Sequence, residues 1–123
     1  MKLERANVLC LPLSCAVYVP STMHGSQPAR REDVDRVLTL VMDRMIELHG
    51  GCTVITTLGG YKLDNGTIVK EQVQIVRSAA TAIDADQIIG LAELVAKLMD
   101  QESVAIELNG EVNLVSQPIA KAA

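Results

Sequence analysis

Two adjacent glycines followed by a tyrosine form the most distinctive candidate for ligand contact in this sequence of 123 residues. Because glycine has no side chain, Gly59 and Gly60 let a phosphate or a base approach the backbone closely. Tyr61 supplies an aromatic ring that can stack on a base. A β-bulge before a hairpin also explains the glycine pair. The pattern matches neither a phosphate-binding loop nor a dinucleotide-binding fingerprint.

Arginines supply the candidate positions for binding phosphate. Arg30, Arg31 and Arg36 lie around the start of a predicted helix, where the helix dipole and free amide groups favour an anion. Arg77 lies near the end of a predicted strand. Solvated surface charge remains the simpler explanation for each of them. The four arginines are therefore candidates for a phosphate-binding site. The alternative is that they are solvated surface residues that bind no ligand.

Glu71 is a carboxylate within an apolar pattern. Alternation along its predicted strand places it on one face with Val69, Val73 and Ile75. A carboxylate in such a layer needs an ion pair, hydrogen bonds or a proton. A structural ion pair is the favoured interpretation, and contact with a ligand is the alternative. The candidate partners are Arg36, Arg44 and Arg77.

The remaining reactive side chains form no catalytic or metal-binding pattern. His24 is a loop residue that could shuttle a proton or simply face solvent, and the three cysteines lack metal-ligand spacing. We therefore predict no metal, no cofactor and no catalytic residue. The net charge of −4 and the two aromatic residues argue against binding of DNA or RNA.

The order of elements predicts the fold class. Strands alternate with two amphipathic helices in the order β-α-β-β-α-β-β, which favours an α+β fold with an antiparallel sheet of about five strands and both helices on one face. We expect a single domain over 1–123, with an N-terminal arm at 1–13 and a frayed tail at 116–123. The three cysteines are most simply reduced thiols, so a cytoplasmic protein is expected, with export directed by the signal-peptide-like run from Ala6 to Val19 as the alternative. No segment has the roughly 20 apolar residues of a membrane span. The bare face of the sheet and the aliphatic excess favour a homo-oligomer.

Five short segments, in their order along the chain, resemble a known family. They are Val17-Tyr18-Val19-Pro20-Ser21-Thr22, Gly50-Gly51-Cys52-Thr53, Gly60-Tyr61, the run from Gly66 to Glu71, and the run from Gln101 to Gly110. Together they resemble the phage anti-Thoeris "sponge" family of the first type. That resemblance implies a phage anti-defence protein that sequesters cyclic ADP-ribose isomers, and in some members cyclic oligonucleotides, as a dimer or a trimer of dimers without cleaving them.

A non-enzymatic binding protein in the host cytoplasm is therefore the leading interpretation of the sequence. In that interpretation Arg30, Arg31, Arg36 and Arg77 bind phosphates and Tyr61 stacks on the base. Backbone-mediated contacts come from Thr56, Thr57, Gly59 and Gly60. The first alternative is a small enzyme of the ferredoxin-like or dimeric α+β barrel type, with Glu71, Tyr18 or His24 as acid or base. The second is a module that binds another protein.

Overall fold

A computed structural model describes residues 3–118. Two helices, α1 (Arg31–His49) and α2 (Ala85–Leu98), are combined with seven strands. The strands are β1 (Leu13–Pro20), β2 (Thr22–Met23), β3 (Gln27–Pro28), β4 (Thr53–Lys62), β5 (Ile68–Ala80), β6 (Ser103–Leu108) and β7 (Glu111–Ser116). The predicted α+β class is confirmed, and the short β2–β3 pair is the only addition to the predicted order within the described residues.

The main sheet has five strands in the order β4-β5-β1-β6-β7, and every neighbouring pair is antiparallel. β1 lies at the centre, where Val17 pairs with Val76 of β5 on one side and with Ile106 of β6 on the other. Because β1 is short and β5 is long, pairing between them ends at Pro20 and Val73. The outer part of the β4–β5 hairpin therefore extends beyond the central strand.

The core lies between one face of the sheet and both helices. Val17, Val76 and Ile106 contribute from the sheet, Met45 from α1 and Ile88 from α2, and each is fully buried. Aliphatic side chains fill this layer without any phenylalanine or tryptophan. The predicted arrangement with two helices on one face of the sheet is thus confirmed.

Local sequence signals set the ends of the helices, with one exception. Gly50 ends α1 in the left-handed conformation at a φ of 87°, as expected for a C-terminal glycine. Asp84 caps α2 by accepting a hydrogen bond from the amide of Asp86, although the Gln87 side chain contacts Arg44 instead of completing a capping box. Pro28 is the exception: proline suits the first turn of a helix, but this residue pairs in β3 and α1 begins at Arg31.

The opposite face of the sheet carries no helix among the described residues. Ile55, Val112 and Leu114 are exposed on it. At the N-terminus, the predicted arm ends where β1 begins at Leu13. Ser116 belongs to β7, and the predicted frayed tail otherwise falls largely outside the described residues. Within residues 3–118, no helix is both long enough and apolar enough to span a bilayer.

Candidate functional site

A pocket opens where the outer β4–β5 hairpin lies beside the start of β6. Its volume is about 340 Å³, within the usual range of small-molecule sites. β4 and β5 contribute one side, β1 and β7 contribute another, and the segment before β6 closes the end. The lining residues include Tyr18, Gly59, Gly60, Tyr61, Lys62, Glu71, Val73, Gln101, Glu102, Ala105 and Leu114.

Glu71 is the central polar group of this pocket. Only 7% of its surface is exposed, and its Oε2 atom is buried without a hydrogen-bond partner among residues 3–118. No ion pair in the described part of the chain includes Glu71. The favoured interpretation of a structural ion pair was therefore wrong. A buried carboxylate oxygen without a partner is costly, so it is suited to receive a ligand's hydrogen-bond donor or positive charge.

Gln101 fixes the end wall of the pocket. Its side chain is buried, and Nε2 donates to the Thr22 carbonyl oxygen at 2.7 Å and to Thr22 Oγ1 at 2.9 Å. The hydroxyl of Tyr61 lies 3.2 Å from Thr22 Oγ1 and donates to the Gly25 carbonyl oxygen at 3.0 Å. These bonds join the hairpin to the loop after β1, so the ring of Tyr61 is held against the pocket.

Tyr61 stays a neutral phenol over the physiological range. Burial raises the pKa of its hydroxyl, the Thr22 hydrogen bond lowers it, and the nearby Glu71 carboxylate raises it both by its charge and by attracting the hydroxyl proton. Its hydroxyl is thus a hydrogen-bond donor and not a base. This agrees with a role in shaping the site and leaves Glu71 as the buried acidic side chain of the pocket.

The other half of the pocket is apolar. Tyr18 of β1, Ala105 of β6 and Leu114 of β7 contribute side chains from three neighbouring strands on the helix-free face. Tyr18 is half-buried and Leu114 is exposed. A flat apolar surface beside a buried carboxylate suits a ligand with an aromatic part and a cationic part.

The charges on the pocket lining favour a cation. Glu71 and Glu102 are acidic, and Lys62 is the one basic residue among the lining residues that the structure describes. Two negative charges and one positive charge leave a net charge of −1. Phosphate groups would meet a buried carboxylate at this site, so a phosphate-rich ligand fits it poorly.

The glycine pair belongs to the pocket but forms no bulge. Gly59 pairs with Glu71 and Gly60 with Lys70 in an uninterrupted ladder, so the expected bulge was wrong. A Cβ atom placed on Gly59 would lie 2.7 Å from Cγ2 of Val73, which is closer than such atoms approach. The glycine is therefore needed for packing beside Glu71. Of the nine residues predicted to bind the cyclic nucleotide, Gly59, Gly60 and Tyr61 line the pocket, and so do Glu71 and Tyr18 from the enzyme alternative.

The predicted arginines do not converge on this pocket. Arg30, Arg31 and Arg36 are exposed on the first turns of α1 and pair with neighbouring acids, the closest contact being Arg30 Nε to Asp33 Oδ2 at 3.3 Å. Arg77 pairs with Glu107. Arg77 lies six positions along β5 from Glu71, which corresponds to roughly 20 Å of strand. The predicted phosphate-binding set therefore forms no single site.

The two predicted threonines also lie outside the pocket lining. Thr56 is exposed and its Oγ1 donates to Gln74 Oε1 at 2.7 Å across the β4–β5 ladder. Thr57 pairs with Val73 and lies two residues before Gly59 along β4. Sequence reasoning missed Gln101, because nothing in a short polar connection between α2 and β6 distinguishes a buried glutamine from a solvated one.

A larger groove of about 880 Å³ lies between α1 and α2, and Arg36 is one of its lining residues. It is open, and its charged side chains, such as Arg44 and Glu47, pair with each other at the surface. It contains no buried polar atom without a partner among the described residues. The smaller pocket around Glu71 is therefore the better candidate for chemistry.

The surroundings of His24 and of the buried Cys15 thiol indicate structural roles. His24 Nδ1 lies 2.8 Å from Asp100 Oδ2, and both side chains are exposed. Burial raises the pKa of Cys15 to about 11, so this thiol is a poor nucleophile. Between Leu3 and Pro118, no cluster of three or more His, Cys, Asp or Glu residues has the geometry to hold a metal ion.

Comparison with known proteins identifies structural neighbours and no sequence relatives. No family model matches the chain, and no curated protein matches it by sequence. A phage SAM lyase in complex with S-methyl-5'-thioadenosine superimposes with a TM-score of 0.68 at 15% identity, covering 92% of this chain and 96% of that one. A phage SAM lyase in the apo state has a TM-score of 0.64 at 16% identity, covering 98% and 100%.

These neighbours correct the expected function. They are phage proteins, which agrees with the resemblance to a phage-borne family at the coarsest level, but they are not Thoeris sponges. Both are named as enzymes, which contradicts the expectation of a non-enzymatic protein that sequesters cyclic nucleotides. Of the interpretations drawn from the sequence, the small α+β enzyme agrees best with them. The chain thus has the fold seen in phage SAM lyases.

Proposed function

We propose that this protein is a lyase that cleaves SAM (S-adenosylmethionine) and releases S-methyl-5'-thioadenosine. One observation carries the proposal: in a fold shared with phage SAM lyases, the buried Oε2 of Glu71 lies in a pocket and has no hydrogen-bond partner among the described residues. SAM has a sulfonium and an ammonium group, and either can satisfy this oxygen. The apolar half of the pocket, with Tyr18, offers a surface for adenine.

The chemistry requires the break of one bond. S-methyl-5'-thioadenosine is SAM without its 2-aminobutyrate part, so the bond between sulfur and the γ-carbon breaks and its electron pair stays on sulfur. The bond breaks as the fragment's own carboxylate oxygen attacks the γ-carbon and closes a lactone, or as a base takes a β-proton and the C–H electron pair forms the alkene. Both routes cancel the sulfonium charge, and a pocket of low polarity favours such a reaction.

The residues divide these tasks between them. Glu71 holds the cationic portion of the substrate and is the available base if a proton is removed. Gln101 and Tyr61 keep the hairpin in place, so the carboxylate is fixed relative to the apolar wall. No cofactor is needed for either route, because the sulfonium is already an activated leaving group.

Product analysis tests the proposed reaction. The purified protein is incubated with SAM and the mixture is analysed by mass spectrometry, with heat-treated protein as the control. We expect S-methyl-5'-thioadenosine together with a lactone or an unsaturated amino acid, and no oxygen from H2(18)O in the fragment when the reaction is stopped early. Incorporation of the label into the first-formed fragment would indicate a hydrolase, and unchanged SAM would refute the proposal.

A homo-oligomer remains part of the proposal. Val112 and Leu114 on the helix-free face are large apolar side chains left exposed in one copy, and Leu58 and Ile68 are exposed on the opposite face of the outer hairpin. Burial of such a surface between copies would remove it from water. We also propose that this phage-type protein acts against host defences inside the host cell, where SAM is made. Sedimentation velocity at several concentrations tests the oligomer, and a monomer at all of them would refute it.

A further inference from the structure

Arg77, Glu107 and Tyr18 form a connected chain on the helix-free face of the sheet. Arg77 on β5 and Glu107 on β6 are both cross-strand neighbours of Ala16 on the central strand β1. Because Ala16 is small and fully buried, the two long side chains meet over it, and Arg77 Nη2 lies 3.5 Å from Glu107 Oε2. The carboxylate is thus held in place from across the central strand.

The second oxygen of Glu107 fixes Tyr18. The Tyr18 hydroxyl donates to Glu107 Oε1 at 2.9 Å, within the ordinary range of an O–H···O hydrogen bond. Tyr18 lies two residues along β1 from Ala16, on the same face, and its ring lines the pocket. Its hydroxyl is therefore tied to Glu107, and the ring is oriented as a wall of the pocket.

Electrostatics agrees with this arrangement. Burial raises the pKa of Tyr18, the Glu107 carboxylate raises it further, and the Arg77 guanidinium lowers it. The hydroxyl remains a donor, so the hydrogen bond persists at neutral pH. The arginine that the sequence indicated as a phosphate contact is thus engaged with Glu107.

We propose that Glu107, held by Arg77, is a positioning residue that sets the Tyr18 ring as the surface on which the base of the adenosine ligand packs. The inference rests on the proposed SAM lyase function and adds a residue that contacts no reacting atom. A base packed on a fixed ring benefits SAM and S-methyl-5'-thioadenosine equally, because both contain the adenosine part. The effect therefore falls on ligand affinity and not on the cleavage step.

Two variants of Glu107 separate this role from a structural one. Glu107→Leu removes the acceptor, whereas Glu107→Gln keeps an oxygen that accepts from Tyr18. For Glu107→Leu we expect KM for SAM and Kd for S-methyl-5'-thioadenosine to rise together by roughly threefold to tenfold, the value of an aromatic contact, with kcat maintained. Glu107→Gln is expected to bind both ligands like the wild type. Arg77→Met is expected to shift the two constants in the same direction as Glu107→Leu, by a smaller factor.

A spectroscopic measurement accompanies the kinetics. The chain has two tyrosines and no tryptophan, so absorbance titration follows tyrosine ionisation directly. Glu107→Gln is expected to lower the pKa of Tyr18 because the negative charge is gone, and Arg77→Met is expected to raise it because the positive charge is gone. Opposite shifts support the chain of contacts, and unchanged titration curves would overturn it.

The outcomes distinguish this inference from the proposed function. If the wild type cleaves SAM and Glu107→Leu retains the wild-type KM and Kd, the positioning role is refuted and the lyase assignment stands. A fall in kcat at constant KM would also refute it, because the residue would then act on the cleavage step. If the wild type neither cleaves SAM nor binds S-methyl-5'-thioadenosine, the proposed function fails and the inference fails with it.

Discussion

Replacement of Glu71 by glutamine is expected to abolish the cleavage of SAM and, at the same time, to stabilise the fold. The side chain is buried and Oε2 has no partner within the described residues, so the carboxylate costs stability until a ligand satisfies it. A neutral amide of nearly the same shape is less costly to bury. We expect the free energy of unfolding to rise by about 1 kcal/mol or more, as measured by urea denaturation.

The Glu71→Gln variant also distinguishes binding of the cationic part of SAM from binding of its adenosine part. SAM is cationic and S-methyl-5'-thioadenosine is neutral, so the loss of the carboxylate affects only SAM. Loss of about 2 kcal/mol of interaction with a buried charge corresponds to a roughly 30-fold weaker Kd for SAM in calorimetry. Affinity for S-methyl-5'-thioadenosine is expected to stay unchanged. Glu111→Gln, the same change at an exposed position of β7, is the matched control. Full activity of Glu71→Gln would contradict the assignment.

Replacement of Gly59 by alanine is expected to damage both stability and activity. The added Cβ would lie 2.7 Å from Cγ2 of Val73, a branched side chain with little freedom to move. Strands β4 and β5 must then separate at the ladder position that Gly59 shares with Glu71. We expect a loss of about 1–3 kcal/mol in the free energy of unfolding. A displaced carboxylate is expected to lower kcat/KM by up to about 100-fold.

Gly60→Ala is the control for the glycine substitution. Gly60 is the next residue of β4 and also lines the pocket, but a Cβ there meets its nearest atom at 3.7 Å, an ordinary contact distance. Its stability is expected to change by less than about 1 kcal/mol. Val73→Ala removes the obstructing methyl group, so it should partly restore the Gly59→Ala variant. Equal effects of the two glycine substitutions, or no rescue, would refute the steric explanation.

The elements of the fold were predictable where the signals are local. Asp84 and Gly50 mark helix ends through backbone groups within a few residues, and alternation along β5 correctly placed Glu71 with Val69 and Val73. Pro28 lies in β3 and not in α1, because its fixed φ suits an extended strand as well as a helix start. Such local preferences decide the type of an element more firmly than its first residue.

The site was less predictable because it depends on contacts between distant residues. Gln101 and Tyr61 are 40 positions apart, and both meet the loop after β1 only because β5 extends beyond the central strand. Whether Glu71 meets an arginine or a cavity is decided by this packing and not by its neighbours in sequence. The arginines of α1 failed as a phosphate site for the opposite reason, since acids three or four residues away pair with them.

The number of SAM molecules converted by each chain tests the central claim most directly. The wild-type protein is mixed with a hundredfold excess of SAM, and S-methyl-5'-thioadenosine is counted by mass spectrometry against an isotope-labelled standard. We predict many product molecules per chain from the wild type and none above background from Glu71→Gln. Recovery of all the SAM intact from the wild-type protein, whether bound or free, would contradict the account.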